Sequence, residues 1–174
     1  VLDCPVTLRS VPGKGSVFSV EVPLAKGDLT LAPRRQRLTP VTTHEPLAGL
    51  RILAIDNEPR ILEGMETLLS GWSCKVMVAA DLVAAEIAMA QDQFEPDVVI
   101  ADYHLDEGDG IAAIEALRAR GGRESPALLI TADRSQIMRD RAAELDIRVL
   151  NKPLRPAALR ALLSQWRMQM SEVQ

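Results

Sequence analysis

No apolar run in this chain of 174 residues approaches the roughly 20 residues that a helix needs to cross a bilayer, so nothing in the sequence points to direct membrane contact. An N-terminal targeting pattern is missing as well. The first residue is Val1, with no initiator Met, and the chain reads as a piece of something longer. Basic residues are not in excess: 20 Lys and Arg stand against 24 Asp and Glu, for a net charge of −4. Without a dense basic face, a nucleic-acid partner has no electrostatic footprint here. Cysteine is scarce too. Cys4 and Cys74 have neither metal-ligand spacing nor a disulfide framework. What is present, 47% hydrophobic and 25% charged residues, suits a globular protein of one ordinary domain with an extension, compatible with the cytoplasm.

The most informative stretch is PDVVIADYHLDEGDG, Pro96 to Gly110. Val98-Val99-Ile100-Ala101 is an apolar run without alternation, the pattern of a strand covered on both faces in a parallel sheet. It ends on Asp102 and a Gly- and acid-rich loop. Three other strands end comparably: Leu50 to Asp56, Leu128 to Thr131, and Ile147 to Leu150 before Asn151-Lys152-Pro153. If all four are parallel, Asp56, Asp102, Thr131 and Lys152 converge at the carboxyl edge of the sheet, where open α/β sheets bind their ligands. Two carboxylates, a hydroxyl and an ammonium suit Mg²⁺ and a phosphoryl group. The metal takes one or two carboxylates with water and phosphate, and the other two groups bind phosphoryl oxygens.

These residues carry a resemblance. The Asp56-Asn57-Glu58-Pro59 run, Asp102 in its strand, Thr131-Ala132 and Lys152-Pro153 resemble the signature of response-regulator receiver domains over about Gly49 to Met168. The separations agree: 46 residues from Asp56 to Asp102, 29 on to Thr131 and 21 on to Lys152. The resemblance implies a flavodoxin-like (βα)5 doubly wound parallel sheet of strand order 2-1-3-4-5. It implies that Asp102 accepts a phosphoryl group from a phosphohistidine-bearing kinase or phosphotransfer domain. Asp56, Asn57, Asp102 and the backbone carbonyl of His104 would hold Mg²⁺, and Thr131 and Lys152 would bind the phosphoryl oxygens. A cis Lys152-Pro153 bond belongs to the same pattern, and cis bonds are essentially a proline phenomenon.

Two positions depart from the family. Asn57 stands where a second acid is usual, which lowers anion repulsion and weakens the pull on Mg²⁺. Val149 stands three residues before Lys152, where Tyr or Phe is usual, so an aromatic switch is lacking. Both leave open an alternative, a pseudo-receiver that modulates a kinase by docking without phosphorylation. An FMN- or nucleotide-binding protein of this architecture is more distant, since no phosphate-binding loop follows the first strand. Glu58 is expected to open the first helix and His104's imidazole to face solvent.

Along the chain, Thr7-Leu8 and Val17 to Val22 read as a hairpin around Pro12-Gly13-Lys14-Gly15. Ser10, Gly13, Gly15, Ser16, Phe18 and Pro23 resemble the last hairpin of histidine-kinase ATP-binding domains. The segment lacks Walker spacing and a following helix. Residues 24–48, with three prolines, Arg34, Arg35, Arg37 and His44, read as a solvated linker. From there five strand–helix units are expected: strands Arg51 to Asp56, Cys74 to Val78, Asp97 to Asp102, Ala127 to Thr131 and Ile147 to Leu150. The helices begin at Pro59, after Asp81, near Gly110 (stopping at Gly121-Gly122), near Ser135 and near Pro156. Helix 1 buries Ile61, Leu62, Met65, Leu68 and Leu69, and helix 5 buries Leu159, Leu162, Leu163 and Trp166. The organisation expected is a kinase-domain remnant over 1–23, a linker over 24–48 and a receiver over 49–170. It would be part of a hybrid histidine kinase, dimeric through its parent, and would catalyse only its own phosphoryl transfer and dephosphorylation.

Overall fold

A computed structural model describes residues 5–11, 13, 15–21, 46–121 and 125–172. Cys4, Pro12, Lys14, Pro23, the Arg34–Arg37 cluster, His44 and Gly122 lie outside the described residues. The chain divides into two units, Val1–Thr42 and Thr43–Gln174.

The first unit holds a hairpin of β1 (Val6–Val11) and β2 (Gly15–Val20), antiparallel, with Val6 opposite Val20 and Leu8 opposite Phe18. Both strands are offset from expectation: the first arm is longer than Thr7-Leu8, and the second starts at Gly15 and stops before Glu21. Glycines at the turn make this register accessible, with positive φ at Gly13 and Gly15. Period-2 alternation puts Val6, Leu8, Phe18 and Val20 on one face, all four exposed.

The second unit is a five-stranded parallel sheet of β3 (Arg51–Ile55), β4 (Lys75–Ala79), β5 (Val98–Asp102), β6 (Ala127–Thr131) and β7 (Ile147–Asn151). Their spatial order is β4-β3-β5-β6-β7, which is the expected 2-1-3-4-5. Every residue of β5 and β6 is buried, because central strands of such a sheet are covered on both faces. The edge strands β4 and β7 are buried only in part.

Five helices cover the sheet: α1 (Pro59–Ser70), α2 (Leu82–Asp92), α3 (Gly110–Gly121), α4 (Gln136–Glu144) and α5 (Pro156–Glu172). On one face Leu53, Val99, Ala101 and Leu129 pack with Ala85 of α2, Ile111 and Ile114 of α3 and Met138 of α4. On the other, Ile52, Ile100 and Leu128 pack with Met65 and Leu69 of α1 and Leu159, Leu163 and Trp166 of α5. Leu47, at the end of the stretch read as linker, is buried in that second cluster.

The helix starts follow local chemistry. Asp81 accepts a hydrogen bond from the Ala84 N–H at 2.7 Å, and Ser135 caps α4 by accepting from the Met138 N–H. Pro59 and Pro156 occupy first helical positions, where a missing N–H costs nothing. Glu58 is the extended cap of α1 rather than its first residue. Ile61 departs from the expected buried stripe and is 38% exposed. It lines a groove of about 390 Å³ with Leu62, Met65, Leu68 and Leu154, between α1 and the start of α5. Helical period alone predicts its face, but an open groove lies between that first turn and the sheet residues Ile55 and Ile100.

Candidate functional site

Parallel register brings the strand ends together. Ile55 lies beside Ala101, so Asp56 and Asp102 leave adjacent strands at one level. Thr131 lies beside Asn151, and the Lys152 N–H donates to the Thr131 carbonyl at 2.8 Å. The Lys152 side chain then reaches across the edge of the sheet. Its Nζ stands 3.0 Å from Asp102 Oδ2 and 3.4 Å from Asp56 Oδ2, bridging two carboxylates from strands that are remote in sequence. The Lys152-Pro153 bond is cis, as expected.

Both acids are buried, Asp56 at 6% exposure and Asp102 at 8%. Each is stabilised by a backbone donor as well as by the ammonium: Asp56 Oδ1 accepts from the Glu58 N–H at 2.9 Å, and Asp102 Oδ1 from the Tyr103 N–H at 2.8 Å. Burial pulls the Lys152 pKa down. The hydrogen bond to Asp102 and the charges of Asp56 and Asp102 outweigh it, and the ammonium is held above its ordinary value.

Thr131 is fully buried, and its Oγ1 accepts from the Asp133 N–H at 3.0 Å, which leaves the hydroxyl proton free to be donated elsewhere. His104 is exposed; its ring packs edge-on against Tyr103, with centroids 4.8 Å apart, and its backbone bridges Asp109. Val149 is half-buried against the cluster beneath α2, α3 and α4.

Three contributors are not evident from the sequence pattern. Asn57 Nδ2 donates to Asp106 Oδ1 at 2.6 Å, joining the β3–α1 and β5–α3 loops. Asp109 caps α3 through the Ala112 N–H and binds Arg141 of α4 at 2.7 Å; burial raises its pKa, but those two partners outweigh it and leave the carboxyl below its usual range. Gly110 is the third. A Cβ there would sit on the Asp102 carbonyl oxygen and against Leu129, so only glycine lets α3 start this close to β5. The acidic, glycine-rich composition of residues 106–110 was the available signal, but composition does not specify which strand or helix each residue meets.

The donor set fits Mg²⁺. Two carboxylates with oxygens at one sheet edge, and the amide of Asn57 next in sequence, suit a hard cation that keeps much of its water. Among the described residues no three His, Cys, Asp or Glu side chains gather into a metal-binding group.

A five-stranded doubly wound sheet with two acids and a lysine at its carboxyl edge defines a flavodoxin-like α/β domain whose charged groups stand where such sheets bind ligands. The model of the response regulator receiver domain matches residues 52–164, and the chain belongs to that family. Response regulator MprA of Mycobacterium leprae is 32% identical over 118 residues, 68% of this chain and 50% of the relative. Regulator of RpoS of Escherichia coli K12 is 29% identical over 112 residues, 64% of this chain and 32% of the relative. The chain thus spans half or less of these curated relatives. Among solved structures, the Vibrio cholerae chemotaxis protein CheY4 aligns with a TM-score of 0.61 at 23% identity, covering 68% of this chain and 98% of that one. A receiver domain protein from Clostridium thermocellum aligns with a TM-score of 0.64 at 18% identity, covering 71% and 98%. Receiver domains generally bind Mg²⁺ at the phosphorylation site and interact with phosphodonor histidine kinases or phosphotransfer proteins. Among the described residues no helix is long and apolar enough to cross a membrane.

Proposed function

We propose that this chain accepts a phosphoryl group from a phosphohistidine onto Asp102, with Mg²⁺, as the receiver of a hybrid sensor histidine kinase. The observation that carries the reading is the Lys152 ammonium shared between Asp102 and Asp56 at a buried sheet edge. An Asp102 carboxylate oxygen forms the new P–O bond while the P–N bond of the donor breaks and its imidazole leaves with the electron pair. A carboxylate is a weak nucleophile, so positioning and charge neutralisation supply the rate. Lys152 orients Asp102 before transfer and pairs with a phosphoryl oxygen after it, and the Thr131 hydroxyl donates to another. Asp56, Asp102, the Asn57 carbonyl oxygen and the His104 carbonyl would hold Mg²⁺, which supplies positive charge to the transferring group. The groove beside α1, walled by Ile61, Leu62 and Leu154, offers apolar footing to a donor helix next to Asp102. The hybrid-kinase setting rests on the N-terminal hairpin, whose Ser10, Gly13, Gly15, Ser16 and Phe18 resemble the end of a kinase ATP-binding domain.

Val149 in place of an aromatic favours a second reading, a docking module that modulates the kinase unphosphorylated. Intact-mass spectrometry after incubation with a small phosphodonor and Mg²⁺ separates the two. A gain of one phosphoryl group, absent in Asp102→Asn, is expected; no gain despite bound Mg²⁺, or with the kinase's own phosphohistidine, would refute it and favour the docking module.

A further inference from the structure

We propose that Asp106 is a positioning residue of the cation site, supplying from the β5–α3 loop the negative charge that Asn57 omits from the β3–α1 loop. The inference rests on the reading of the site given under Proposed function. Asn57 and Asp106 are 49 positions apart, yet their side chains meet at 2.6 Å beside the strand ends that carry Asp56 and Asp102. A carboxylate only accepts hydrogen bonds, so the amide branch facing Asp106 is the NH₂ group. The Asn57 carbonyl oxygen is therefore fixed on the opposite branch. A carboxylate partner also polarises the amide and makes that oxygen a stronger ligand for a hard cation.

The same contact explains why position 57 is not acidic. A carboxylate there would bring two anions to hydrogen-bond distance, with no ammonium between them, since Lys152 bridges Asp56 and Asp102. Asn57 and Asp106 are thus a matched exchange. Asp56 and Asp102 meet at the edge, and Asp106 adds its charge from the neighbouring loop through Asn57. In this arrangement occupancy of the cation site also ties the β3–α1 loop to the loop that follows the phosphoacceptor.

The test is calorimetric Mg²⁺ titration of the whole chain as wild type, Asp106→Asn, Asn57→Asp and the double variant, with melting temperatures recorded without metal. Asp106→Asn is expected to weaken Mg²⁺ binding about fivefold, the effect of removing one charge several ångströms from a divalent cation in a high-dielectric setting. Asn57→Asp combined with Asp106→Asn restores the charge count and returns affinity to within about twofold of wild type. Asn57→Asp alone melts lower without metal than wild type or the double variant, because its two carboxylates face each other. Unchanged affinity in Asp106→Asn, or a double variant that binds Mg²⁺ as weakly as Asp106→Asn alone, would overturn the proposal while Asp102 phosphorylation by mass spectrometry stays intact. A wild-type chain that neither binds Mg²⁺ nor gains a phosphoryl group would overturn it together with the reading of the site.

Discussion

Replacing Lys152 by Met removes the charge between two buried carboxylates while keeping most of the side chain's apolar length. In the folded protein Asp56 and Asp102 would then face each other across the gap that Nζ bridges at 3.4 and 3.0 Å. Two unit charges about 5 Å apart at an effective dielectric of about 20 repel by roughly 3 kcal/mol. The lost charge-assisted hydrogen bonds add to this, and the partial exposure of Lys152 subtracts by letting water in. A net loss of about 2–4 kcal/mol is expected without metal, a fall of roughly 10 °C in melting temperature for a domain of this size. Millimolar Mg²⁺ should restore stability to Lys152→Met by a larger increment than it adds to wild type, because the cation replaces the missing charge. Thermal and urea unfolding followed by circular dichroism, with and without Mg²⁺, measure both quantities. A loss below about 0.5 kcal/mol, or equal Mg²⁺ increments in the two proteins, would refute the view that the ammonium is what makes this pair of acids tolerable.

Gly110→Ala should destabilise the fold by about 1–3 kcal/mol in equilibrium unfolding, because its methyl group would displace α3 from the end of β5; a neutral result would mean that this approach is not fixed. Arg141→Ala tests the link between α4 and the cap of α3. Asp109 has a lowered folded pKa, so its contribution is present above the unfolded value near 4 and is lost as pH falls through the folded one. With Arg141 well exposed and screened, the cost at neutral pH is about 0.5 kcal/mol, and the gap from wild type should close in denaturant titrations run at progressively more acidic pH.

The strands and their direction were legible because a parallel sheet writes itself as apolar runs without alternation. Ala127–Thr131 matched residue for residue, three strands differed by a residue at one end, and the strand expected at Cys74 to Val78 lies one residue further on, at Lys75–Ala79. Asp81, Ser135, Pro59 and Pro156 marked helix starts because capping and the missing proline N–H are local effects, decided within one turn. Ile61 was misjudged because period places a side chain on a face without saying whether the neighbouring elements close over it. The hairpin formed as expected, with Thr7 and Leu8 paired to Ser19 and Phe18, but its arms run closer to the turn than alternation alone indicated, because the turn glycines let pairing extend to Gly15.

Sequence by itself determined that Asp56, Asp102, Thr131 and Lys152 stand at strand ends, and parallel connectivity then required those ends to share an edge. Only the tertiary structure decided what each group touches there: the Lys152 ammonium divided between two acids, the Thr131 hydroxyl oxygen accepting from the Asp133 amide, and Asn57 joined to Asp106. Strand position is fixed by local pattern, whereas a hydrogen bond between loops 49 residues apart depends on how two turns leave the sheet. That geometry belongs to the packed chain and has no counterpart in spacing.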